Sequence, residues 1–489
     1  MQRATRREFL RYAGAGAAAL ALPRWLAAAE GAAPAAGRPN VIFLLTDDHR
    51  GDTISALGNP HIQTPNLDTL VTGGFVFRRA YCQGGNSGAV CLPARQMILR
   101  GRSWFSTRFK EWQEQNFPKT MNEAGYFTYF LGKPGNNDAN VLKVFKSENL
   151  DNRKAQKATG AEGSPDEVPG KNMADGVIQF LQDWKKQKAA GQAQPFFMHL
   201  APPHPHDPRV APKEFMDKYD VAKMPLPANY LPFQPFNNGE LLIRDEKLAP
   251  WPRTEDEIRR HLRDYYADIS CLDAQFGRIL QALKEIGEYD NTILIWTGDQ
   301  GVAIGSHGLM GKQNLYDDSM NVPVIFCGPG IPKGKSSDAF AYHFDIYPTV
   351  CELAGAKAPE GIDGRSLVPV MQGKAEGVRD TILLGYKDVQ RAVRRGQWKL
   401  IRYPQVNKMQ LFDLQADPHE TKDLAADPAH SEKVKELMTL LAEEQRRFGD
   451  TLPLEVAEPQ PAEVNLEFFA KHPQGPQATR PKAKGKTKD

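Results

Sequence analysis

Four short apolar runs lie along the chain, and two of them end in polar pairs. The runs are residues 40–46, 195–200, 291–297 and 322–327. Each is almost continuously apolar, which is typical of a strand covered on both faces, as in a parallel sheet. The first run leads into Asp47 and Asp48, and the third leads, one residue later, into Asp299 and Gln300. These pairs therefore mark the carboxyl ends of two predicted strands.

Helical patterns separate the runs. In the clearest of them, residues 256–286, apolar side chains recur at spacings of three and four. Strands that alternate with helices predict an α/β fold, here a large doubly wound mixed sheet flanked by helices. Ligands of such sheets bind beyond the carboxyl ends of the strands. Residues 212–255 are rich in Pro and Asn with little periodicity, so we expect an inserted loop near that edge.

The pattern changes toward the C-terminus. Short alternating runs at residues 398–403 and 410–414 precede a helical pattern at 431–447. These short alternating runs followed by a helix predict a small C-terminal α+β subdomain over residues 376–470. Residues 30–375 form the large domain before it.

Both ends of the chain differ from its body. Residues 1–29 contain paired arginines followed by Phe-Leu, an Ala/Gly/Leu stretch and a small-residue cleavage site. This is typical of a twin-arginine signal peptide, so we expect the twin-arginine export machinery as a partner and a periplasmic or secreted location. Residues 471–489 are rich in Lys, Pro and Gly and are predicted to be a disordered basic tail.

The overall charge is misleading because the ends supply it. The 489 residues carry a formal net charge of +3, but the two ends contribute +4 and +5, which leaves −6 for residues 30–470. An acidic body argues against nucleic acid as a partner. A hydrophobic fraction of 41% excludes a disordered chain. Outside the N-terminus no apolar run reaches the about 18 residues of a membrane span, so we expect no transmembrane anchor.

The two polar pairs indicate a cation. Asp47 and Asp48 would repel each other at the end of a buried strand unless a positive charge compensates them. Asp299 and Gln300 add oxygen ligands from a second strand end. Because all of these ligand atoms are oxygens, the set suits calcium or magnesium and not zinc.

The segment Cys91-Leu92-Pro93-Ala94-Arg95 is the most specific feature of the sequence. Its spacing predicts a helix that begins near Cys91 and carries Arg95 on the same face. A cysteine at a helix N-terminus beside an arginine has a lowered pKa. The segment alone therefore indicates either a reactive thiol at residue 91 or a buried cysteine beside a structural arginine.

With this segment the sequence resembles the type I, formylglycine-dependent sulfatases of the alkaline-phosphatase-like superfamily. Cys91 to Arg95 match the family signature Cys-x-Pro-Ser/Ala-Arg, and the resemblance extends over most of residues 40–425. It implies that residues 30–375 are the catalytic domain. It also implies that a formylglycine-generating enzyme oxidises Cys91 to formylglycine, and that the cation is calcium.

Within this resemblance, Asp47 and Asp48 match the family's first calcium pair, and Asp299 matches its third acidic ligand. The family usually has Asn or His at the following position, where this chain has Gln300. Glutamine has the same amide oxygen as asparagine on a longer side chain, so Gln300 is included among the expected metal ligands.

The resemblance implies catalytic roles for five further residues. Lys133 and Lys312 match sulfate-binding lysines, and His206 matches the histidine that protonates the leaving group. Arg95, with calcium, lowers the pKa of the attacking hydroxyl. The family usually has a histidine two or three residues after Lys133, which this chain lacks, and His307 is a candidate substitute.

These observations predict an exported sulfatase that hydrolyses sulfate monoesters of carbohydrates. Two alternatives stay open at this point. One is a phosphonate or phosphate ester hydrolase of the same superfamily. The other is a degenerate relative that binds sulfated glycans without turnover, which the missing histidine suggests.

Overall fold

A computed structural model describes residues 37–106, 115–133, 137–147, 168–464 and 467. The predicted signal peptide and basic tail lie outside the described residues. None of the helices in the described ranges combines the length and the apolar character that crossing a membrane requires.

A seven-stranded mixed sheet forms the centre of the larger part of the fold. Its strands are β1 (Asn40–Thr46), β2 (Phe75–Tyr81), β4 (Phe127–Gly132), β5 (Phe196–Ala201), β6 (Thr292–Gly298), β7 (Val324–Cys327) and β8 (Lys335–Tyr342). They lie side by side in the order β4-β5-β1-β6-β7-β2-β8. The first four of this order are parallel, and β7 is antiparallel to both of its neighbours.

Helices cover the sheet and connect its strands. They are α1 (Pro65–Gly73), α2 (Cys91–Arg100), α3 (Phe117–Glu123), α4 (Ala139–Leu142), α5 (Lys171–Ala189), α6 (Lys213–Met216), α7 (Glu255–Glu285), α8 (Asp317–Met320), α9 (Ile346–Leu353), α10 (Val368–Met371) and α11 (Ser431–Phe448). The longest, α7, is capped at its N-terminus by Thr254, whose hydroxyl accepts a hydrogen bond from the backbone N–H of Glu257 at 3.3 Å.

Both faces of the large sheet are buried, which explains the continuous apolar runs. In β1, Val41 and Phe43 pack into the core on one face, and Ile42 and Leu44 pack into a second core on the other. The second core also contains apolar residues of α5 and α7. A strand between two cores has no polar face, so its sequence does not alternate.

A smaller five-stranded sheet lies beside the large one. Its strands are β3 (Gly84–Gly85), β9 (Thr381–Tyr386), β10 (Gln390–Arg395), β11 (Trp398–Tyr403) and β12 (Lys408–Asp413), in the order β12-β11-β10-β9-β3. Leu383 on one face packs with apolar residues of α11, and Ile382 and Leu384 on the other join the core of the large sheet. Because β3 precedes α2 in the chain, the small sheet contacts the segment that carries Cys91.

The predicted fold class is confirmed: a large mixed sheet flanked by helices, with a smaller α+β unit. The four predicted core strands are present; the first has the predicted boundaries, and those of the other three differ by at most two residues. The long predicted helix is α7. The inserted segment 212–255 contains only short helical turns, and it reaches the edge of the sheet described next.

The parallel strands bring distant segments to one edge of the large sheet. Strands β1 and β6 pair in register to their last residues, so Asp47 and Asp299 follow on neighbouring strands. Lys133 follows β4, and His206 lies in the loop after β5. Since these four strands point the same way, all four side chains belong to the carboxyl edge where ligands bind.

A buried ion pair ties the end of β8 to the segment that leads into the small sheet. Arg379 donates to both oxygens of the fully buried Asp345 carboxylate, with Nη2 at 2.7 Å from Oδ1. The backbone N–H groups of Tyr342 and Arg365 donate to the same carboxylate at 2.8 Å each. Removing the arginine would leave a buried charge without its counter-charge.

We therefore expect Arg379→Ala to destabilise the protein by about 3–5 kcal/mol, the usual cost of breaking a buried ion pair on one side. The measurement is the midpoint of urea unfolding. Lys357→Met is the control, because Lys357 pairs with Glu360 at the surface, where both side chains are about nine-tenths exposed. Equal midpoints for the two variants would contradict the structural role of the Asp345 pair.

Candidate active site

Cys91 is the first residue of α2, as predicted, and the helix starts at the carboxyl edge of the large sheet. Its sulfur and one carboxylate oxygen each of Asp47 and Asp299 lie within 4.8 Å of one another. The helix also carries Arg95 toward the same acids. The structure thus brings the predicted cysteine, arginine and acids into one buried cluster.

Arg95 joins the ends of two strands. Its Nε donates to Asp299 Oδ2 at 2.9 Å, and its Nη2 donates to Asp47 Oδ2 at 3.0 Å. All three side chains are completely buried. The planar guanidinium therefore sets the spacing between the two carboxylates.

Two lysines complete the charge balance. Lys312 donates to both oxygens of Asp48, at 2.7 and 2.9 Å, and Lys133 donates to Asp47 Oδ2 at 2.9 Å. With Arg95 and Asp299 included, three cationic side chains face three carboxylates. The cluster is thus close to neutral although it is almost fully shielded from water.

The acids still repel each other. Burial disfavours the charge of Asp47, yet Arg95 and Lys133 outweigh it and hold the pKa of that carboxyl well below its usual range. Burial, together with the charge of Asp47, raises the pKa of Asp299 to about 6. Asp48 has a left-handed backbone, with φ of 65°, which is tolerated by aspartate better than by most residues.

The cluster fits a hard divalent cation. Two of its buried oxygens, Asp47 Oδ1 and Gln300 Oε1, have no hydrogen-bond partner among the described residues. The Gln300 amide donates instead to Asp48 Oδ1 at 2.5 Å, so this side chain reaches the acids as expected. Carboxylate and amide oxygens are the ligands that calcium and magnesium prefer. All four predicted metal residues are therefore placed together.

The expected lowering of the Cys91 pKa is wrong. Burial raises the pKa of this thiol to about 12, and the charge of Asp47 adds to the rise. Lys312 and Arg95 act in the opposite direction, but both are already paired with carboxylates. The sequence showed the arginine and the helix start, but it did not show that oxygens of Asp47 and Asp299 lie within 4.8 Å of the sulfur.

His206 faces this cluster from the loop after β5. Its Nδ1 lies 2.6 Å from the backbone oxygen of Asp207, and a carbonyl only accepts, so Nδ1 carries a proton. Its Nε2 therefore points toward the cluster, 3.9 Å from Asp48 Oδ2. Arg244 holds the Asp207 carboxylate through two hydrogen bonds, one of them 2.8 Å long.

His307 lies in a different environment. Its ring stacks on Tyr316 with centroids 3.6 Å apart, and its Nε2 is 3.0 Å from Asn229 Nδ2. Burial lowers its pKa to about 4, so the ring is neutral near pH 7. Within the described residues it does not line the cavity over Cys91. The geometry therefore gives no support to His307 as the substitute for the missing histidine.

A cavity of about 300 Å³ opens over the cluster. Cys91, His206 and Lys312 form its floor, and its wall includes residues that our sequence reasoning did not identify. These are Glu240, Arg244 and Asp245 from the inserted segment, Gln313, and Tyr386 at the end of β9. The signal for the first three was the position of the inserted segment, and Gln313 is the neighbour of Lys312 in the sequence, whereas no motif marks Tyr386.

Comparisons with known proteins agree with this geometry. The sulfatase family profile matches residues 39–356, and the profile of the N-sulphoglucosamine sulphohydrolase C-terminal region matches residues 305–447. The chain is 27% identical to an N-acetylglucosamine-6-O-sulfatase of Bacteroides thetaiotaomicron, over 85% of this chain and 88% of that one. It is also 27% identical to a choline-sulfatase of Rhizobium meliloti, over 80% and 83% of the two chains.

Two solved structures share the fold. One, described in complex with its substrate D-glucosamine-2-N,6-O-disulfate, has a TM-score of 0.66 and 25% identity, and covers 85% of this chain and 99% of its own. A phosphonate monoester hydrolase of Agrobacterium radiobacter has a TM-score of 0.66 and 23% identity, with 84% and 96% covered.

The family profile covers well over half of the chain, and it includes the acids, the cysteine, the lysines and His206 that the structure gathers at one edge of the sheet. This chain therefore belongs to the sulfatase family of sulfuric ester hydrolases, with the alkaline-phosphatase-like fold.

Proposed function

We propose that this enzyme hydrolyses sulfate monoesters of carbohydrates, with formylglycine formed at Cys91 and calcium held by Asp47, Asp48, Asp299 and Gln300. The observation that carries the proposal is the balanced cluster around Cys91, in which three carboxylates face three cations below a cavity. Relatives that act on or bind sulfated glucosamine support the carbohydrate substrate.

The charge balance favours an anionic substrate once a divalent cation is bound. The three acids and three basic side chains nearly cancel, so a dication would leave two positive charges at the floor of the cavity. A calcium ion supplies Lewis-acid activation of an oxygen nucleophile and stabilises charge on the sulfate oxygens. Lys133 and Lys312 add donors for those oxygens from two sides of the cluster.

The chemistry required at position 91 argues for a modified residue. A thiol has a single nucleophilic atom, so after attack on a sulfate it would have no second group with which to release that sulfate. A hydrated aldehyde at the same position supplies a hydroxyl for attack and a second one for release of sulfate. Arg95 and Asp299 hold their positions through buried ion pairs, so they orient this residue without reorganisation.

His206 is the proposed acid for the departing alcohol. Its Nδ1 is held by the backbone oxygen of Asp207, which aims Nε2 at the cavity. A sugar alkoxide is a poor leaving group and needs a proton in the transition state. We assign that proton to Nε2 of His206.

Maturation and export are further parts of the proposal. We propose that a formylglycine-generating enzyme modifies Cys91 and that the twin-arginine machinery then carries the folded chain to the periplasm or beyond. The support is the Cys-x-Pro-Ala-Arg segment and the paired arginines of residues 1–29, which lie outside the described residues.

The first prediction concerns residue 91. When a maturation enzyme is co-expressed, mass spectrometry of the tryptic peptide Ala80–Arg95 should show formylglycine at residue 91 and an intact thiol at Cys82. Cys82 belongs to the same peptide and is also buried in the folded protein, so it is an internal control. Cys91→Ala should abolish hydrolysis of nitrophenyl sulfate. Full activity with an unmodified thiol would contradict the proposal. Hydrolysis of a nitrophenyl phosphate or phosphonate ester faster than that of nitrophenyl sulfate would also contradict it.

The second prediction concerns His206. General-acid catalysis contributes on the order of 10²–10⁴-fold, so His206→Ala should lose most of that factor on a sugar sulfate. The loss should be much smaller on nitrophenyl sulfate, because nitrophenolate leaves without a proton. His307→Ala is the matched control and should affect both substrates equally, since His307 lies outside the cavity. If His206→Ala lowered the rate of hydrolysis equally for both substrates, His206 would not be the general acid.

A further inference from the structure

The cavity over Cys91 has a wall that the proposed chemistry does not use. Its volume of about 300 Å³ is at the lower end of the range for small-ligand sites, about 300–1,000 Å³. The sulfate group would occupy the floor, where Cys91, His206 and Lys312 lie. The remaining space suits one sugar ring and not a run of several.

Two buried polar atoms of this wall lack hydrogen-bond partners. Tyr386 is 1% exposed, and its hydroxyl makes no hydrogen bond within the described residues. Oε2 of Glu240 is likewise buried and without a partner there. Burial, the charge of Glu240 and a side-chain interaction with that carboxylate raise the pKa of Tyr386, so the two groups face each other, although the geometry between them is not that of a normal hydrogen bond. Unpaired buried polar atoms are costly unless a ligand satisfies them.

The wall is held in place from the small sheet. Lys387 donates to Glu240 Oε1 at 2.5 Å, which leaves Oε2 as the available oxygen of that carboxylate. The backbone of Lys387 is left-handed, with φ of 42°, and its N–H donates to Gly85 at 2.8 Å. Strained, well-anchored residues of this kind occur at ligand sites more than elsewhere. Tyr386 and Glu240 are therefore positioned before a ligand arrives.

The charges of the wall are paired. Glu240 pairs with Lys387, and Arg244 pairs with Asp245 and with Asp207. Among the described residues of the wall, each cation is thus paired with a carboxylate, and none is left to receive a second anionic group on the ring. Its unpaired atoms, a hydroxyl and a carboxylate oxygen, are suited to the hydroxyl groups of an uncharged ring.

Building on the proposed function, we propose that Tyr386 and Glu240 are specificity-determining residues that bind hydroxyl groups of a single, uncharged, terminal sugar ring. Tyr386 exchanges a hydrogen bond with one hydroxyl, and Glu240 Oε2 accepts from another. Because the enclosed part of the cavity has the size of one ring, we expect the enzyme to act on chain ends, with the rest of the chain outside the cavity.

The test compares kcat/KM for an uncharged monosaccharide sulfate, such as N-acetylglucosamine 6-sulfate, with that for nitrophenyl sulfate. Tyr386→Phe should lower the ratio of the first to the second by roughly 3–10-fold, the loss of one neutral hydrogen bond. Glu240→Gln should lower it by roughly 10-fold or more, because a charged acceptor is lost. Tyr289→Phe is the control, since Tyr289 lies in the turn before β6, at the opposite end of the strand, and should leave the ratio unchanged.

The wild-type enzyme should also have a higher kcat/KM for the uncharged monosaccharide sulfate than for glucosamine 2-N,6-O-disulfate. It should hydrolyse a sulfate on a terminal sugar faster than a sulfate on an internal one. A ratio unaffected by both cavity variants, or equal rates on internal sulfates of a polysaccharide, would overturn the inference. Hydrolysis of nitrophenyl sulfate with no turnover of any monosaccharide sulfate would overturn it and leave the sulfatase chemistry intact. No hydrolysis of any sulfate ester would overturn the proposed function and this inference together.

Discussion

The site depends on one electrostatic constraint: three carboxylates meet at the end of a buried sheet. Asp47, Asp48 and Asp299 follow two adjacent parallel strands, so the topology places them together whatever their charges. Burial would make this arrangement very costly if the charges were not compensated. Arg95 compensates two of the acids and, because it lies on α2, it also fixes where Cys91 stands.

The same constraint links the cluster to the rest of the fold. Lys312 and Lys133 come from segments far apart in the chain, and each pairs with one of the acids. The small sheet contributes through β3, which leads toward α2, and through Tyr386 at the end of β9. One sheet thus gathers the charges, and the other supplies a wall of the cavity above them.

Much of the fold and the floor of the site could be predicted from the sequence. Apolar runs between two cores do not alternate, so β1 and β6 were recognisable, and the polar residues after them marked the edge. The Cys91 pKa was predicted in the wrong direction, because distances to Asp47 and Asp299 depend on strand pairing that spacing does not reveal. Glu240 and Tyr386 carry no motif, since they meet only through the packing of the inserted segment on the small sheet.

The central claim is that the acidic cluster is a cation site. The most direct measurement is a crystal structure of the active enzyme grown with calcium, with anomalous data to locate the ion. The account predicts one ion about 2.3–2.6 Å from oxygens of Asp47, Asp48, Asp299 and Gln300, with Lys312 no longer on both oxygens of Asp48. No ion at these residues in crystals of an active preparation, with both Lys312 contacts kept, would contradict it.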